Sequence, residues 1–381
     1  NILSQTTPGG AATRYEYDAA GNMVKQTDPN GAVWKYEYNE LSKVTGIVDP
    51  YGSIYSFLYD NEGNVLKQTD PRGFCVSYFY DALNRVIETT DEEGYQTAIE
   101  YDEAGNVITQ TDQSGNVYGY EYDLLDRLIS VTKPSGIKYA YQYDSVGNLT
   151  EATDPMGSSM KYEYDPMNRL INVTDALGYK TGYGYDQADN MTSMTDANNN
   201  MSRWEYNLNG QILKETNPLG STVTYKYDVA GQLSEAASPD GLVSSYMYNA
   251  EGLPSTINYG TDSVSYQYDI MGNLTKMESP DSQDVFSYDL LGRLTSQNNS
   301  ELGKGLTFEY DATGNMTKIV NSEDRVTRYS YDGRSSVTSL TDPDGNVTGF
   351  EYEAAGREIR RSLANGNKIA REYDEDGQLV S

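Results

Sequence analysis

The 381-residue sequence contains no histidine and a single cysteine, Cys75. Without histidine the chain lacks the commonest general base and metal ligand, and one thiol excludes both an internal disulfide framework and a thiolate cluster. So little cysteine suits an oxidising exterior and a reducing cytoplasm equally, which leaves the compartment open on this count. Cations are scarce too: 28 Lys+Arg stand against 57 Asp+Glu, a net charge of −29. Such a field disfavours nucleic acid and anionic membrane surfaces as partners. No apolar run approaches the length of a membrane span, and neither an initiating Met nor a signal peptide heads the sequence. Hydrophobic residues make up only 37%. A thick aliphatic core is therefore not expected, and a thin layer of amphipathic rings fits better.

What the chain has instead is tyrosine, 36 of them, and half sit at a fixed period. The repeat tyrosine steps by 21 residues from Tyr17 through Tyr38, Tyr59 and Tyr80 to Tyr248, slips to Tyr268, Tyr288 and Tyr310, and recovers at Tyr331, Tyr352 and Tyr373. Of these eighteen, fourteen are followed by Asp, and sixteen have an aromatic residue two places before. A constant step of this length denotes an array whose units bury their apolar faces only against neighbours. Residues 1–381 read as one continuous array of about eighteen repeats. Because Asn1 and Ser381 fall inside repeats, the segment is expected to come from a longer polypeptide.

Residues 141–157 illustrate one repeat. Alternation places Tyr141 and Tyr143 on one face of a strand and Gln142 on the other, a middle position held elsewhere by Glu16, Glu37, Glu121, Glu163 and Glu205. Asp144 opens a tight turn by accepting backbone amides one and two residues on, and Gly147 closes it at positive φ. Where Gly is missing from that place, Asn84, Asp126, Asn168 and Asp189 stand there, the types that best tolerate this conformation. An apolar residue such as Leu149 restarts a strand, and Thr153-Asp154-Pro155-Met156-Gly157 forms a second turn. Each repeat is thus two short strands and two turns, and the Gly and Pro spacing leaves no room for a helix.

A slower rhythm lies over the first: the residue five after the tyrosine alternates Asn22, Lys43, Asn64, Arg85, Asn106, Arg127, Asn148, Arg169. Either neighbouring hairpins sit in two inequivalent environments or a two-repeat block has duplicated without structural demand. Between Tyr248 and Tyr331 the second turn degrades and the spacing becomes 20, 20 and 22, which places changes of strand length or curvature there. A binding surface is one reading of that stretch, and drift of relaxed repeats is the favoured one.

Carboxylates are the only abundant chemistry. Asp342-Pro343-Asp344-Gly345-Asn346 resembles part of a calcium loop but lacks the spaced downstream ligands, and Asx-type turns account for the same residues. The tyrosine doublets could stack on sugars, yet their strict period fits ordinary cross-strand packing. Trp34 and Trp204 do not cluster, Cys75 reads as a small strand residue, and the eight Asn-x-Ser/Thr triplets arise in part from the consensus itself. No catalytic, cofactor-binding or metal-ligating residue is assigned, and no cofactor or enzymatic activity is expected.

Tyr-Asp with Gly three residues after the acid, the 21-residue step and the Thr-Asp-Pro-x-Gly turn together resemble the YD-repeat or RHS-repeat family over the whole chain. That family includes Rhs and wall-associated polymorphic toxins, the cocoon component of Tc toxins, and the teneurins. The resemblance implies an all-β fold of tandem hairpins in a spiralling, curved sheet, a section of a hollow shell or an open coil. It also implies a noncatalytic structural role, as shell or stalk of a secreted or cell-surface protein that encapsulates or displays a toxin or effector domain of the same polypeptide. The family's toxin domain and self-cleavage region have no counterpart among these residues. The alternative is an extracellular adhesive or carbohydrate-binding filament that contacts glycans or like subunits through the same array. Neither reading involves nucleic acid or membrane insertion.

Overall fold

The computed structural model describes residues 1–381 and contains thirty-six antiparallel strands in one sheet, numbered in chain order from β1 (Ser4–Thr6) to β36 (Lys368–Ala370), and no helix. Each strand pairs with its sequence neighbours, so the sheet is an unbroken meander. In the repeat built from β14 (Lys138–Tyr143) and β15 (Leu149–Thr153), Ala140, Tyr141 and Gln142 face Thr153, Ala152 and Glu151. The register then slips between Gln142 and Tyr143, so that Tyr143 pairs with Leu149. This bulge recurs at every repeat tyrosine that ends a named strand, for example at Tyr59, Tyr80 and Tyr206.

Alternation holds along these strands. Tyr141 and Tyr143 are half-buried while Gln142 is exposed. In several repeats the first ring of the doublet lies across from an apolar residue of the next strand, as in Tyr36 opposite Ile47, Tyr120 opposite Val131 and Tyr162 opposite Val173, and in others it faces a polar stem, as in Tyr15 opposite Gln26 and Phe57 opposite Gln68. On the opposite face the glutamate row pairs with cations across strands, such as Glu16 with Lys25 at 2.7 Å and Glu205 with Lys214 at 3.0 Å. Exposed pairs of this kind add little stability. Packing of rings and β-branched side chains on one face carries most of the load.

One further contact is made in sixteen of the eighteen repeats. The repeat tyrosine hydroxyl donates to a main-chain carbonyl, in fifteen of them that of the first residue of the preceding hairpin's second strand: Tyr59 to Val44 at 2.7 Å, Tyr143 to Leu128 at 2.8 Å, Tyr331 to Met316 at 2.7 Å. That carbonyl needs a donor. The ladder between β13 (Leu128–Thr132) and β14 pairs Thr132, Val131 and Ser130 with Lys138, Tyr139 and Ala140 and ends before Leu128. Where backbone pairing stops, the phenol supplies the missing bond.

Strand length changes in the irregular stretch, as the spacing predicts. β25 (Pro254–Tyr259) joins β26 (Asp262–Tyr268) through a two-residue turn, and β27 (Leu274–Ser279) joins β28 (Ser282–Tyr288) in the same way. The tyrosine contact adapts: Tyr288 reaches back 14 residues and Tyr310 reaches back 16, and each still finds the first residue of a strand.

The sheet coils. Laid flat, strands about 4.8 Å apart would leave Arg72 and Gly333 more than roughly 100 Å from each other. They are hydrogen bonded at 2.8 Å. Matching connections lie about 24 strands apart along the chain, which gives a circumference of roughly 115 Å and a tube about 35–40 Å across. Only six residues are buried, among them Ala11, Ala32 and Ser130. The accessible surface is 22487 Å². A filled globule of this mass exposes about 15,000 Å². The coil is a thin wall, and its own side chains do not fill it.

Tyr164→Phe should remove the 3.0 Å bond to the Leu149 carbonyl while keeping the ring. The expected loss is about 1 kcal/mol of local stability. Amide exchange should quicken in β15 and β16 (Ser159–Tyr164) and stay unchanged in hairpins several repeats away. Unchanged exchange at Leu149–Thr153 would rule out a structural role for the hydroxyl.

Candidate functional site

The antiparallel meander sends its turns alternately to two edges. One edge carries the turns that follow the repeat tyrosine, here the YD edge, and the other carries the Thr-Asp-Pro type turns, here the TDP edge. At the YD edge, Asp144 Oδ1 accepts the amides of Val146, Gly147 and Asn148 at 2.9–3.0 Å, and Oδ2 accepts Asn148 Nδ2 at 2.9 Å. The expectation of amides one and two residues on is thereby corrected. The carboxylate reaches amides two to four residues on, because a four-residue turn folds them over it. Gly147 has φ 103°, and Asn84, Asp126, Asn168 and Asp189 take positive φ at the same place.

The alternating rhythm has a cause in this geometry. Asn64, Asn106 and Asn148 each donate to their own turn acid and also to the side chain that closes the next turn, Asn84, Asp126 and Asn168, at 2.8–3.0 Å. Arg85, Arg127 and Arg169 reach the main-chain carbonyl of the next acid, Asp102, Asp144 and Asp186, and stack over the next tyrosine at 4.4–4.9 Å, and Arg169 also donates to Asp189, which closes the next turn, at 2.8 Å. In these three repeats the Asn meets a polar side chain in the following turn, whereas the turns after Asn190 and Asn273 close with Gly210 and Gly292. After Arg85 and Arg127 the turn closes with Gly105 and Gly147, which contribute none. Of the two readings of the rhythm, the inequivalent environments are present in the structure.

These bonds set the protonation of the turn acids. Donation from the Asn64, Asn106 and Asn190 amides holds Asp60, Asp102 and Asp186 below the usual carboxylate range, and Arg127 does the same for Asp123. Burial pushes the tyrosines Tyr59, Tyr164, Tyr248 and Tyr331 upward. In the calcium-like segment, Asp342 accepts the amides of Asp344 and Asn346 together with Asn346 Nδ2, and Asp344 pairs with Arg325 at 2.9 Å. Turn chemistry and an ion pair occupy these carboxylates. No group of three or more acidic side chains converges as a metal site would require.

The two edges meet at a seam between successive coils. YD turns of the second coil seat in notches between TDP turns of the first, as the teeth of two gears mesh. Leu290 in one YD turn accepts from Asn30 Nδ2 at 3.2 Å through its carbonyl, and its amide donates to the Tyr51 hydroxyl at 3.1 Å. The YD turn at Asp332–Ser335 fills the next notch but one: Arg72 donates to the carbonyls of Asp332 and Gly333 at 2.9 and 2.8 Å, and the Phe74 ring lies where a Cβ on Gly333 would stand. Arg334 stacks 4.3 Å over Tyr95 and pairs with Glu93 at 3.3 Å. Thr7 donates to Glu251 at 2.8 Å, and Ser135 donates to Asp376 through amide and hydroxyl at 3.1 and 2.6 Å. None of these long-range partners was singled out from the sequence. The only local signals are residues out of pattern, Arg72 in a TDP turn and Gly333-Arg334 in a YD turn.

The RHS-repeat family matches residues 1–33, 24–54, 59–96, 101–138, 143–178, 164–201 and 206–243, and the teneurin YD-shell family matches residues 237–381. No curated protein sequence matches at a significant level. Among solved structures, the TcdB2-TccC3 crystal structure aligns with 100% of this chain and 27% of its own length, with a TM-score of 0.79 and 13% identity. A Photorhabdus luminescens Tc holotoxin pore aligns with 98% of this chain and 25% of its own, with a TM-score of 0.57 and 15% identity. The chain spans about a quarter of the length of these solved chains, and at such identity the likeness is one of fold.

Arg334→Ala should loosen the seam by about 1–2 kcal/mol through loss of the stacked, ion-paired guanidinium. Amide exchange at Glu93–Tyr95 should rise while the hairpins keep their strand signal in circular dichroism; unaltered exchange there would show that the guanidinium does not hold the coils together.

Stability should also fall at both ends of the pH scale. The lowered turn acids bind fewer protons when folded, so stability present above about pH 4 is lost as pH falls through the folded values. The raised tyrosines keep their protons longer when folded, so stability present below about pH 10 is lost as pH rises through theirs. Melting temperature followed across pH should show both limbs, and a flat acid limb down to about pH 3 would contradict the turn hydrogen bonds.

Proposed function

The chain belongs to the RHS-repeat family, and from that premise we propose that it forms part of the wall of a hollow container, which encloses or presents another domain of a secreted or cell-surface polypeptide. The observation that carries this reading is the meshed coil of about 24 strands per turn, whose interior no side chains fill. A continuous wall needs closure between coils, and the Arg72 and Arg334 contacts supply it. The role is structural, without catalysis. The tyrosine doublets, which a glycan-binding filament would present to sugars, have sixteen of their hydroxyls engaged with main-chain carbonyls, and this favours the container over the filament.

Limited proteolysis and electron microscopy test the reading together. A reporter domain fused after Ser381 in a polypeptide that carries this array should resist protease while the seam is intact and become cleavable when Arg72 and Arg334 are both changed to Ala. Micrographs should show a tube or shell. Equal digestion of the reporter in both proteins, or flat ribbons in the images, would refute the container.

A further inference from the structure

The seam repeats one arrangement at successive turns, so its parts can be compared position by position. Against the TDP turn Asp91–Gly94, Arg334 of the YD turn Asp332–Ser335 reaches across to the next YD turn. Its Nη1 donates to the Ala354 carbonyl at 2.6 Å, its Nη2 pairs with Glu93 at 3.3 Å, and the guanidinium covers Tyr95 at 4.3 Å. Two repeats earlier the TDP turn Asp49–Gly52 lies against the YD turns Asp289–Gly292 and Asp311–Gly314. Leu291 there stands in the place of Arg334, Tyr51 in that of Glu93, Ser53 in that of Tyr95 and Ala312 in that of Ala354. Leucine does not fill the space. A cavity of about 510 Å³ remains between the coils, with Asp49, Tyr51, Ser53, Arg293, Tyr310 and Ala312 in its lining.

Charge in this cavity is unbalanced. Arg293 gives its Nε to Asp289 at 2.7 Å and its Nη1 to the Asp311 carbonyl at 3.1 Å, and Asp311 Oδ2 accepts Asn315 Nδ2 at 2.9 Å. Asp49 is left over. It is only 5% exposed; Oδ1 accepts the amides of Tyr51 and Ser53, both at 2.8 Å, and Oδ2 accepts nothing. Asp28, Asp70 and Asp112, in the same place of neighbouring turns, engage that second oxygen with Trp34, Arg72 and Asn116. Asp91 is buried like Asp49, but there Arg334 brings a cation to the same turn. Burial, then the charges of Asp49, Asp70 and Asp311, push the nearby Tyr55 hydroxyl up although Arg293 opposes them. The Ala312 carbonyl, unlike that of Ala354, accepts no hydrogen bond. Aromatic walls, surplus negative charge and two acceptors without donors describe a receptor for an organic cation.

We propose that this cavity binds a guanidinium group from outside the seam, which donates to Asp49 Oδ2 and the Ala312 carbonyl beside Tyr51 and Tyr310. The bound group does for this turn what Arg334 does for the turn at Asp91. A planar guanidinium suits two separate acceptors and an aromatic wall better than a compact ammonium does. Because Asp49 belongs to the first coil and Ala312 to the second, the ligand bridges the seam, and binding stabilises the meshed coil. The assignment depends on the seam and not on what the coil encloses, so the container reading can fail while this one stands.

Isothermal titration calorimetry in about 0.15 M salt, where diffuse attraction to the acidic chain is screened, tests it together with thermal melting. Agmatine and the capped peptide acetyl-Gly-Arg-Gly-amide are the two probes, one for a free guanidinium compound and one for an arginine within a chain segment; the tighter binder identifies the source. At least one of them should bind saturably, one per chain, and raise the melting temperature. Asp49→Asn keeps Oδ1 for the turn amides, as Asn217 does for those of Leu219 and Ser221, and should weaken binding at least about tenfold. Leu291→Arg places a guanidinium at the position of Arg334, and it should raise the melting temperature without ligand and abolish binding. Asp196→Asn removes the same charge from a turn that does not line the cavity, and it should bind like the unmodified chain. Failure of both probes to bind saturably, equal weakening by Asp196→Asn and Asp49→Asn, or undiminished binding to Leu291→Arg would each overturn the assignment.

Discussion

A phenol hydroxyl donating to a main-chain carbonyl is the bond on which this architecture depends. Adjacent hairpins share only a short ladder, three residue pairs between β13 and β14, and it ends where the sheet must admit a bulge and a turn. A carbonyl left dry at that point would cost about 1–3 kcal/mol. Tyrosine satisfies it from the next hairpin while its ring covers the apolar face beside it. Phenylalanine would give the ring without the donor, and serine the donor without the reach. The requirement for both in one side chain explains why the repeat position always holds tyrosine, whereas Phe57, Phe286, Phe308 and Phe350 stand two places before it.

Because the wall is one layer thick, nothing behind it stabilises the sheet, and the coil must be held by its edges. The turns serve that purpose twice. Within a coil they form a ladder of Asn and Arg contacts from one repeat to the next. Between coils they become teeth and notches, and a few out-of-pattern residues fix which tooth meets which notch. Arg72 and Arg334 bridge the same seam from opposite sides, one from a TDP turn and one from a YD turn.

Much of the fold was legible from the sequence. Period, alternation, turn acids and positive-φ positions are local, and Tyr141, Gln142, Asp144 and Gly147 carry them within a few residues of one another. Strand-length changes near Tyr268 and Tyr288 followed from the broken spacing. The seam was not legible, because its partners lie some 240–260 residues apart and their identity depends on the curvature of the sheet, which no single repeat encodes. Gly333 is the instructive case. In sequence it is an unremarkable turn residue, and only the ring of Phe74 from another coil shows why a side chain has no place there. The Asn and Arg alternation was visible as a rhythm, but its cause lay in the pairing of Asn64 with Asn84, 20 residues on.

Gear-like meshing also bears on how such a chain can change over generations. Unequal recombination between near-identical 21-residue units adds or deletes whole hairpins, and any integer change still offers one tooth for every notch. Lineages could therefore vary the enclosed volume in discrete increments without rebuilding the wall. Individual clasps resist this freedom: moving the seam by one hairpin would bring Phe74 against a YD turn that carries a side chain where Gly333 now stands, and would take the guanidinium of Arg334 away from Tyr95. The number of hairpins between two such clasps is thus fixed by the geometry of the seam as a unit.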